Sequence, residues 1–295
     1  MRGLWLAPLR GVTVRAFRET FAPAIREAGF AGAVAPFIPA NPGIRVNDRL
    51  LGDLEPFPAD GAGGAMPLVP QVITKHPDAM RELLKGLKDR GFTHADLNAG
   101  CPFPMIVRRG RGSGLFRAPD VLERLIEAGC EEMGSGRFSV KTRLGLERTD
   151  ELMALMPMLN RYPLSALTIH ARTSRQMYSG ECDRAAFRAV CAESANPVMY
   201  NGDASVEDVA SFSPGVCGVM VGRSFIRALG ARNDADALLR GYVARLRTEL
   251  CGDRPVLGRL KELLAYWSEG SLRWRRLWPV VKIARTTDEL LSLCG

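Results

Sequence analysis

The seven cysteines form no Cys-x-x-Cys pair and no regular framework, so neither a disulfide scaffold nor a metal site is expected. No run of eighteen apolar residues occurs, and no segment is expected to cross a membrane. Only a short apolar run precedes Pro8, too little for a signal peptide. With free thiols and no leader, the expected compartment is the cytoplasm. There is no repeat of roughly 20–50 residues beyond a strand–helix alternation, no low-complexity stretch, and nothing that marks a protein partner.

What the chain does have is enough apolar residue, 46% of 295, for a substantial core, and enough charge, 24%, for a soluble surface. That suits one large domain plus a small one. Its net charge is +8. Residues 1–230 carry 28 Lys and Arg against 24 Asp and Glu, and residues 231–295 carry 12 against 8. Both parts are net +4, but the second is far shorter. A basic tail fits nucleic acid, and a solvated surface face accounts for the same charge.

Eight short apolar runs read as strands: Leu4–Pro8, Phe30–Phe37, Pro67–Ile73, His94–Asn98, Phe138–Leu144, Ala166–His170, Pro197–Tyr200 and Cys217–Val221. Helical patterns fall between most of them, at Arg15–Ala28, Pro77–Asp89, Pro119–Met133, Asp150–Asn160 and Arg184–Ala192. Repeated βα units require a parallel sheet with right-handed crossovers, and eight of them make an α/β fold of the TIM (β/α)8 barrel type. Ala40–Ala65, rich in Gly, Pro and Asp, is expected to be irregular, with at most a helical turn near Val46–Leu51. After Arg227 the strands stop, and Ala235–Thr248, Arg259–Trp267 and Arg285–Leu293 read as a small C-terminal helical bundle. The expected division is 1–230 and 231–295.

In such a barrel, chemistry sits at the carboxyl ends of the strands. Asp96-Leu97-Asn98-Ala99-Gly100-Cys101-Pro102 is a strand that breaks at Gly100 and Pro102, presenting an amide and a thiol. With a pKa of about 8.5 a thiol is mostly protonated at neutrality, which suits a proton donor; a buried inert cysteine fits the same stretch. Other strands end in Gln71, in Lys141 and Arg143, in His170 and Arg172, in Asn201, Gly202 and Asp203, and in Gly222 and Arg223. Lys141 and Arg143 alternate on one face of their strand. Glycines after the seventh and eighth strands, with Arg223 beside them, occupy the usual phosphate position of this barrel. Together with Lys141 and Gln71 they describe a phosphorylated planar cofactor, for which FMN is the leading candidate. The stretch Arg108–Gly114 reads as a flexible cationic lid.

The chain resembles the tRNA-dihydrouridine synthase family. The marks are Ala7-Pro8-Leu9-Arg10-Gly11-Val12-Thr13, Asp96–Pro102, Ser139-Val140-Lys141-Thr142-Arg143-Leu144-Gly145, His170-Ala171-Arg172-Thr173, Tyr178-Ser179-Gly180, Asn201-Gly202-Asp203 and Val221-Gly222-Arg223. The early first strand, and Gly258-Arg259-Leu260-Lys261 followed by aromatics, look most like the bacterial C-type branch. The resemblance implies a flavin-bearing barrel with a helical tRNA-binding domain. It implies that NADPH reduces FMN, that hydride passes to C6 of a flipped-out uracil in the tRNA D-loop, at position sixteen for the C-type, and that Cys101 protonates C5. Pro8, Leu9, Arg10, Gln71, Lys141, His170, Asn201, Gly202, Asp203, Gly222 and Arg223 would then hold the flavin. Asn98, Arg143, Arg172 and Tyr178 would meet uracil or RNA. The chain departs from the family pattern at Leu9-Arg10, within Ala35-Pro36-Phe37-Ile38 and at Val107-Arg108.

In the tail, Arg273, Trp274, Arg275, Arg276 and Trp278 interleave cations with indoles, as an RNA groove or as the core of the bundle. Arg259 and Lys261, two apart on a helix, diverge by roughly 200°, so at most one faces RNA. Two other functions remain open: an FMN barrel oxidoreductase acting on a free pyrimidine or other small molecule, and a non-catalytic RNA-binding protein.

Overall fold

The computed structural model describes residues 1–54, 65–208 and 215–294. Its strands are β1 (Gly3–Leu6), β2 (Gly32–Val34), β3 (Ile38–Pro39), β4 (Leu68–Val69), β5 (Gln71–Ile73), β6 (Ala95–Asn98), β7 (Phe138–Gly145), β8 (Ala166–Thr173), β9 (Val198–Asn201) and β10 (Gly218–Val221). All pair in parallel, in the order β3-β5-β6-β7-β8-β9-β10-β1-β2-β4. The ten strands are eight barrel staves, because two staves are broken by proline. β2 and β3 are one stave interrupted at Ala35-Pro36-Phe37, and β4 and β5 are one interrupted at Pro70, where no N–H is available for the ladder.

This break also closes the barrel. Val69 accepts from the Ala35 amide on one side, and its neighbour Pro70 accepts from the Asp96 amide on the other, both at 2.9 Å. The two ends of the strand order are thus the same two staves, and among the described residues the sheet has no free edge. The strands read as near-continuous apolar runs because helices cover the outside and side chains fill the inside. Leu6, Phe17, Leu97, Val140, Leu167 and Val221 all lie in one buried core.

Local chemistry sets the helices. Prolines stand in the first turn of Pro77–Asp89, Pro104–Arg108 and Pro119–Met133, where a missing N–H costs nothing. Asp183 caps Arg184–Glu193 by accepting from the Ala186 amide at 2.9 Å. The expected turn near Val46–Leu51 is present as the helix Asp48–Leu51, capped by Asn47. The remainder of that irregular segment, 55–64, lies outside the described residues.

The C-terminal region is helical: Ala235–Glu249, Asp253–Gly270, Leu272–Ile283 and Thr287–Leu291. Two differences from the sequence reading stand out. The helix expected at Arg259–Trp267 begins at Asp253 and runs to Gly270. The cation–indole stretch is itself a helix, with Trp274 buried against Trp267 at 5.3 Å between ring centroids. For Trp274 the core reading therefore holds. Trp267 also meets Phe21 edge-on at 6.4 Å, and Tyr242 meets Phe21 at 5.8 Å, so the tail shares its apolar core with the barrel. No helix among the described residues is long and apolar enough to cross a membrane.

Candidate active site

The carboxyl ends of the strands surround a cavity of about 470 Å3. It is lined by Pro8, Leu9 and Arg10 after β1, Asn98 and Cys101 after β6, and Lys141 and Arg143 on β7. His170 on β8, Tyr178 beyond it, Asn201 and Gly202 after β9, and Gly222 and Arg223 after β10 complete the ring. The parallel register alone brings these distant residues together: Asn98 lies beside Lys141, Arg143 beside His170, and His170 beside Asn201.

Cys101 is held by its neighbours' backbone and by one amide. Asn98 Oδ1 accepts from the Cys101 amide at 2.9 Å and from the Gly100 amide at 3.2 Å. Asn98 Nδ2 donates to Gln71 Oε1 at 2.8 Å, and Gln71 Nε2 donates to the buried Asp96 carboxylate at 2.7 Å. Ser139 Oγ donates to the other Asp96 oxygen at 2.5 Å. Because a carboxylate only accepts, it fixes which way round both amides point. On the other side, Ser113 donates to the Cys101 carbonyl through both its amide and its hydroxyl.

The cationic stretch after Cys101 is therefore not the flexible lid expected from its composition. It forms the helix Pro104–Arg108 and a 3-10 turn over Gly112–Arg117, with Gly112, Ser113 and Gly114 buried beneath the cysteine. Gly112 has φ +56°, and a Cβ there would meet the Cys101 carbonyl oxygen at 2.7 Å. Only glycine fits.

Cations crowd the cavity. Arg143 Nε donates to the Gly100 carbonyl at 2.9 Å, while its Nη1 donates to the carbonyls of Thr173 at 2.9 Å and Met177 at 2.7 Å. It ties the cysteine loop to the loop bearing Tyr178, whose ring lies 5.3 Å from Arg143 and 4.6 Å from Arg223. Met177, at φ +51°, is a non-glycine residue in the left-handed region. Lys141 Nζ donates to Asn201 Oδ1 at 2.9 Å.

Electrostatics follow from burial and this crowding. Burial, then Arg143, lowers Lys141 to about 8, while Asp96 and Cys101 pull it back up. Burial lowers Arg143 to about 10. His170 is driven well below its usual value by burial and by Arg143, Lys141, Arg172 and Arg223, so it is neutral at pH 7. Burial pushes the Cys101 thiol up against the opposing pull of nearby cations, so the proton stays on sulfur. Asp96 rises to about 6 through burial.

Three residues singled out in the sequence are not among those that line the cavity. Gln71 is fully buried in the Asp96–Asn98 chain. Arg172 is buried, with both terminal nitrogens donating to Asp203, Nη2 also to the Gly180 carbonyl, and Nε to the Ser179 and Gly180 carbonyls. Asp203 also accepts from Arg223 at 3.0 Å, so it joins the two arginines. Burial raises the Asp203 carboxyl, and Arg172 and Arg223 more than reverse this, leaving it below its usual range. As placed, these three hold cavity residues; they do not line the cavity themselves.

Of the other lining residues, Arg259 was read only as a candidate RNA contact, and Phe37, Glu262 and Tyr266 were not read as lining residues. Phe37 lies under Arg10, 5.7 Å from its guanidinium. Arg259, Glu262 and Tyr266 come from the helix Asp253–Gly270. Their spacing of three and four places them on one helical face, a signal that was available, although not the direction in which that face points. Lys261 points elsewhere, donating to the carbonyls of Lys282 and Ala284 at the end of the neighbouring helix, as the divergence from Arg259 requires.

The donor set suits a phosphorylated flavin. At one end two glycines line the cavity without a side chain and pack closely on their other side: a Cβ on Gly202 would lie 2.6 Å from Cys182 Sγ, and one on Gly222 would lie 3.0 Å from Ala7 Cβ. Arg223 follows directly. At the other end Lys141 rises from the barrel floor, and between them the unbalanced positive charge favours an anion.

The dihydrouridine synthase family model matches residues 5–230. A Vibrio cholerae protein named tRNA-dihydrouridine synthase B is 28% identical over 228 residues, covering 75% of this chain and 66% of that relative. A Staphylococcus epidermidis probable tRNA-dihydrouridine synthase is 36% identical over 111 residues, 38% of this chain and 33% of its own length. The chain thus spans just under two-thirds of the first and a third of the second. The Vibrio relative carries the letter B in its name, so the likeness found is to the B-type, where the sequence reading expected the C-type branch. In fold, morphinone reductase matches with a TM-score of 0.53 at 11% identity, over 77% of this chain and 84% of that one. The family match begins at Trp5 in β1 and ends at Gly230 after the last barrel helix, and the chain belongs to the dihydrouridine synthase family.

Proposed function

We propose that this protein reduces a uridine in the D-loop of tRNA to 5,6-dihydrouridine, using FMN and NADPH. The observation that carries the reading is a protonated, loop-held Cys101 facing the same cavity as Lys141, Arg143 and Arg223. Bound FMN, reduced by NADPH, would supply the hydride for C6 of the uracil. The residues do the rest. Lys141 would neutralise negative charge at the ring end of the cofactor, and Asn201, Gly202, Gly222 and Arg223 would hold its ribityl and phosphate end, with Pro8, Leu9 and Arg10 lining the near wall. Gln71 and Asp203 would act through Asn98 and Arg223.

Cys101 would deliver its proton to C5, which, with the hydride at C6, adds two hydrogens to the ring. Tyr178, held against the guanidiniums of Arg143 and Arg223 yet 42% exposed, would meet an extruded base at the cavity mouth. Arg143 would order the two loops that frame the base, and Arg172 would order Tyr178's loop through Ser179 and Gly180. Neutral His170, 6.1 Å from the Tyr178 ring, would sit at the boundary of cofactor and base. Residues 1–230 would form the catalytic unit and 231–295 the tRNA-binding unit, with Arg259 reaching from the second into the mouth of the first.

The test is mass-spectrometric mapping of dihydrouridine in unmodified tRNA incubated with FMN-loaded protein and NADPH. A gain of two hydrogens at one D-loop uridine is expected, and the mapped position decides the C-type target, position sixteen. Flavin that NADPH reduces without any change in tRNA would favour a small-molecule oxidoreductase. Protein that binds tRNA but takes up no flavin would favour a non-catalytic binder.

A further inference from the structure

A second hollow, of about 440 Å3 and more open than the first, lies on the far side of the Cys101 loop. Its apolar walls come from Pro102, Pro104 and Val107 on one side and Leu146 and Met177 on the other. Three guanidiniums, those of Arg108, Arg117 and Arg175, stand around it with a single acid, Glu147. Glu147 is paired with Arg175 at 3.5 Å. Arg108 and Arg117 have no ionic partner among the described residues. The hydroxyl on its floor is already engaged, since Ser174 Oγ and Ser113 Oγ lie 2.6 Å apart and Ser113 holds the Cys101 carbonyl.

The two hollows meet along one ridge. Pro102 lines both, Phe103 faces the first and Pro104 the second, and across from them Tyr178 lines the first and Met177 the second. A molecule with one flat ring in the first hollow can therefore cross the ridge and rest its other end in the second.

We propose that the second hollow binds the adenosine end of the dinucleotide reductant, and that Arg108 and Arg117 read its 2′-phosphate. The inference rests on the proposed use of a nicotinamide reductant by this site, and extends it to a preference for NADPH over NADH. A phosphate monoester carries about −1.5 to −2 charge at neutral pH, which matches two unpaired guanidiniums better than one. Planar guanidinium forks also bind phosphate oxygens in pairs. The facing prolines and aliphatic side chains give a purine ring an apolar surface to cover. An RNA strand would bring a row of singly charged diesters to the same place. A single recess with Glu147 on its rim fits one nucleotide better than a continuous row of phosphates.

The test is anaerobic stopped-flow reduction of the flavin in the full-length, FMN-loaded protein, with NADPH and NADH compared and no tRNA present. Wild type is expected to favour NADPH. Arg108→Ala and Arg117→Ala should each weaken NADPH by about ten- to a hundredfold, the weight of a charge-assisted hydrogen bond. The ratio of NADPH to NADH efficiency should fall toward one. Arg117→Lys, which keeps the charge without the fork, should lie between. Equal use of both reductants by wild type, or an unchanged ratio in the alanine variants, overturns the proposal. So does an effect confined to tRNA binding, which would give the hollow to RNA instead. Failure of both reductants to reduce the wild-type flavin would sink the proposed function itself, and the two failures are thereby distinguished.

Discussion

Lys141→Met replaces the buried cation at the barrel floor by an uncharged side chain of similar length, and it should stabilise the flavin-free protein while weakening its hold on flavin. Burial, and then Arg143, lowers Lys141 from its ordinary 10.5 to about 8 in the folded chain. At 1.36 kcal/mol per pKa unit, the buried charge costs the fold about 3 kcal/mol wherever both states are protonated. The sign follows from proton counting. Between pH 8 and 10.5 the unfolded chain binds more protons than the folded one, so wild-type stability rises with pH across that window. The full cost is present below pH 8 and gone above 10.5. Against this, methionine removes the 2.9 Å bond to Asn201, a loss of about 1 kcal/mol. The net gain at pH 7 is about 2 kcal/mol, or roughly 4 °C in Tm for a chain of this size. At pH 9.5 only about 1 kcal/mol of the cost remains, and the two proteins should melt together. Thermal unfolding of the flavin-free pair at both pH values measures this, and flavin retained after desalting measures the other half. A variant that melts no higher than wild type at pH 7, or whose advantage is the same at pH 9.5, refutes the buried-charge argument. Undiminished flavin retention refutes the role given to Lys141.

Cys101→Ala should keep the protein yellow and its flavin reducible, but slow single-turnover uridine reduction by about 10²–10⁴-fold, the usual range for loss of a general acid; an unchanged rate would remove Cys101 from the chemistry. Gly112→Ala places a methyl group 2.7 Å from the Cys101 carbonyl oxygen at a positive φ. It should cost at least about 1 kcal/mol in urea unfolding and slow uridine reduction more than flavin reduction; equal effects on both steps would show that the glycine does not act through the cysteine. Asp96→Asn removes a carboxylate raised by burial from 3.8 to about 6. Here the folded state holds its proton more tightly than the unfolded one, so wild-type stability should fall by about 3 kcal/mol as pH rises from 3.8 to 6. The variant should lack that slope, and a parallel slope in both proteins would assign it to other groups.

The barrel was legible because its signals are local. Eight apolar runs with helical patterns between them need only the strand and helix periods, and each run overlaps an observed strand, several of which extend past it by one to three residues. The proline breaks are local as well, and Pro36 and Pro70 explain why eight staves are seen as ten strands. Most of the cavity followed from one topological rule, that parallel staves bring their carboxyl ends to one mouth. What the rule does not supply is depth. It treats Gln71, Arg172 and Asp203 as equals of Lys141, whereas side-chain length and competing carboxylates decide which groups reach the cavity and which are spent in the wall. The Asp96–Gln71–Asn98 chain depends on register between β5 and β6, where Gln71 lies beside Asp96, and register is not visible in a single run of residues. The supposed lid failed for a related reason. Its glycines and arginines look like a mobile loop, but Gly112 and Gly114 are glycines because backbone packs against them under Cys101 and Val107.

The tail was the hardest part to read, and it changes what the site is. Treated as a separate basic bundle, it contributes charge and nothing to the cavity. In the folded chain, Gly230 packs against Trp267, and a Cβ there would lie 2.7 Å from that side chain. Gly270 is packed equally closely against Arg227, at the end of the last barrel helix. These two close approaches seat the helix Asp253–Gly270 on the barrel rim, and the same seating turns Arg259, Glu262 and Tyr266 toward the flavin-sized cavity. Glu262 and Arg259 pair at 3.2 Å, so this wall is nearly neutral while the barrel side, with Lys141, Arg143 and Arg223, is strongly positive. On the proposed function, an anionic cofactor would be drawn to the barrel floor, and the tail wall would be left for the substrate. The tail's part in the site thus rests on close helix packing at two glycines more than on the cations that first drew attention to it.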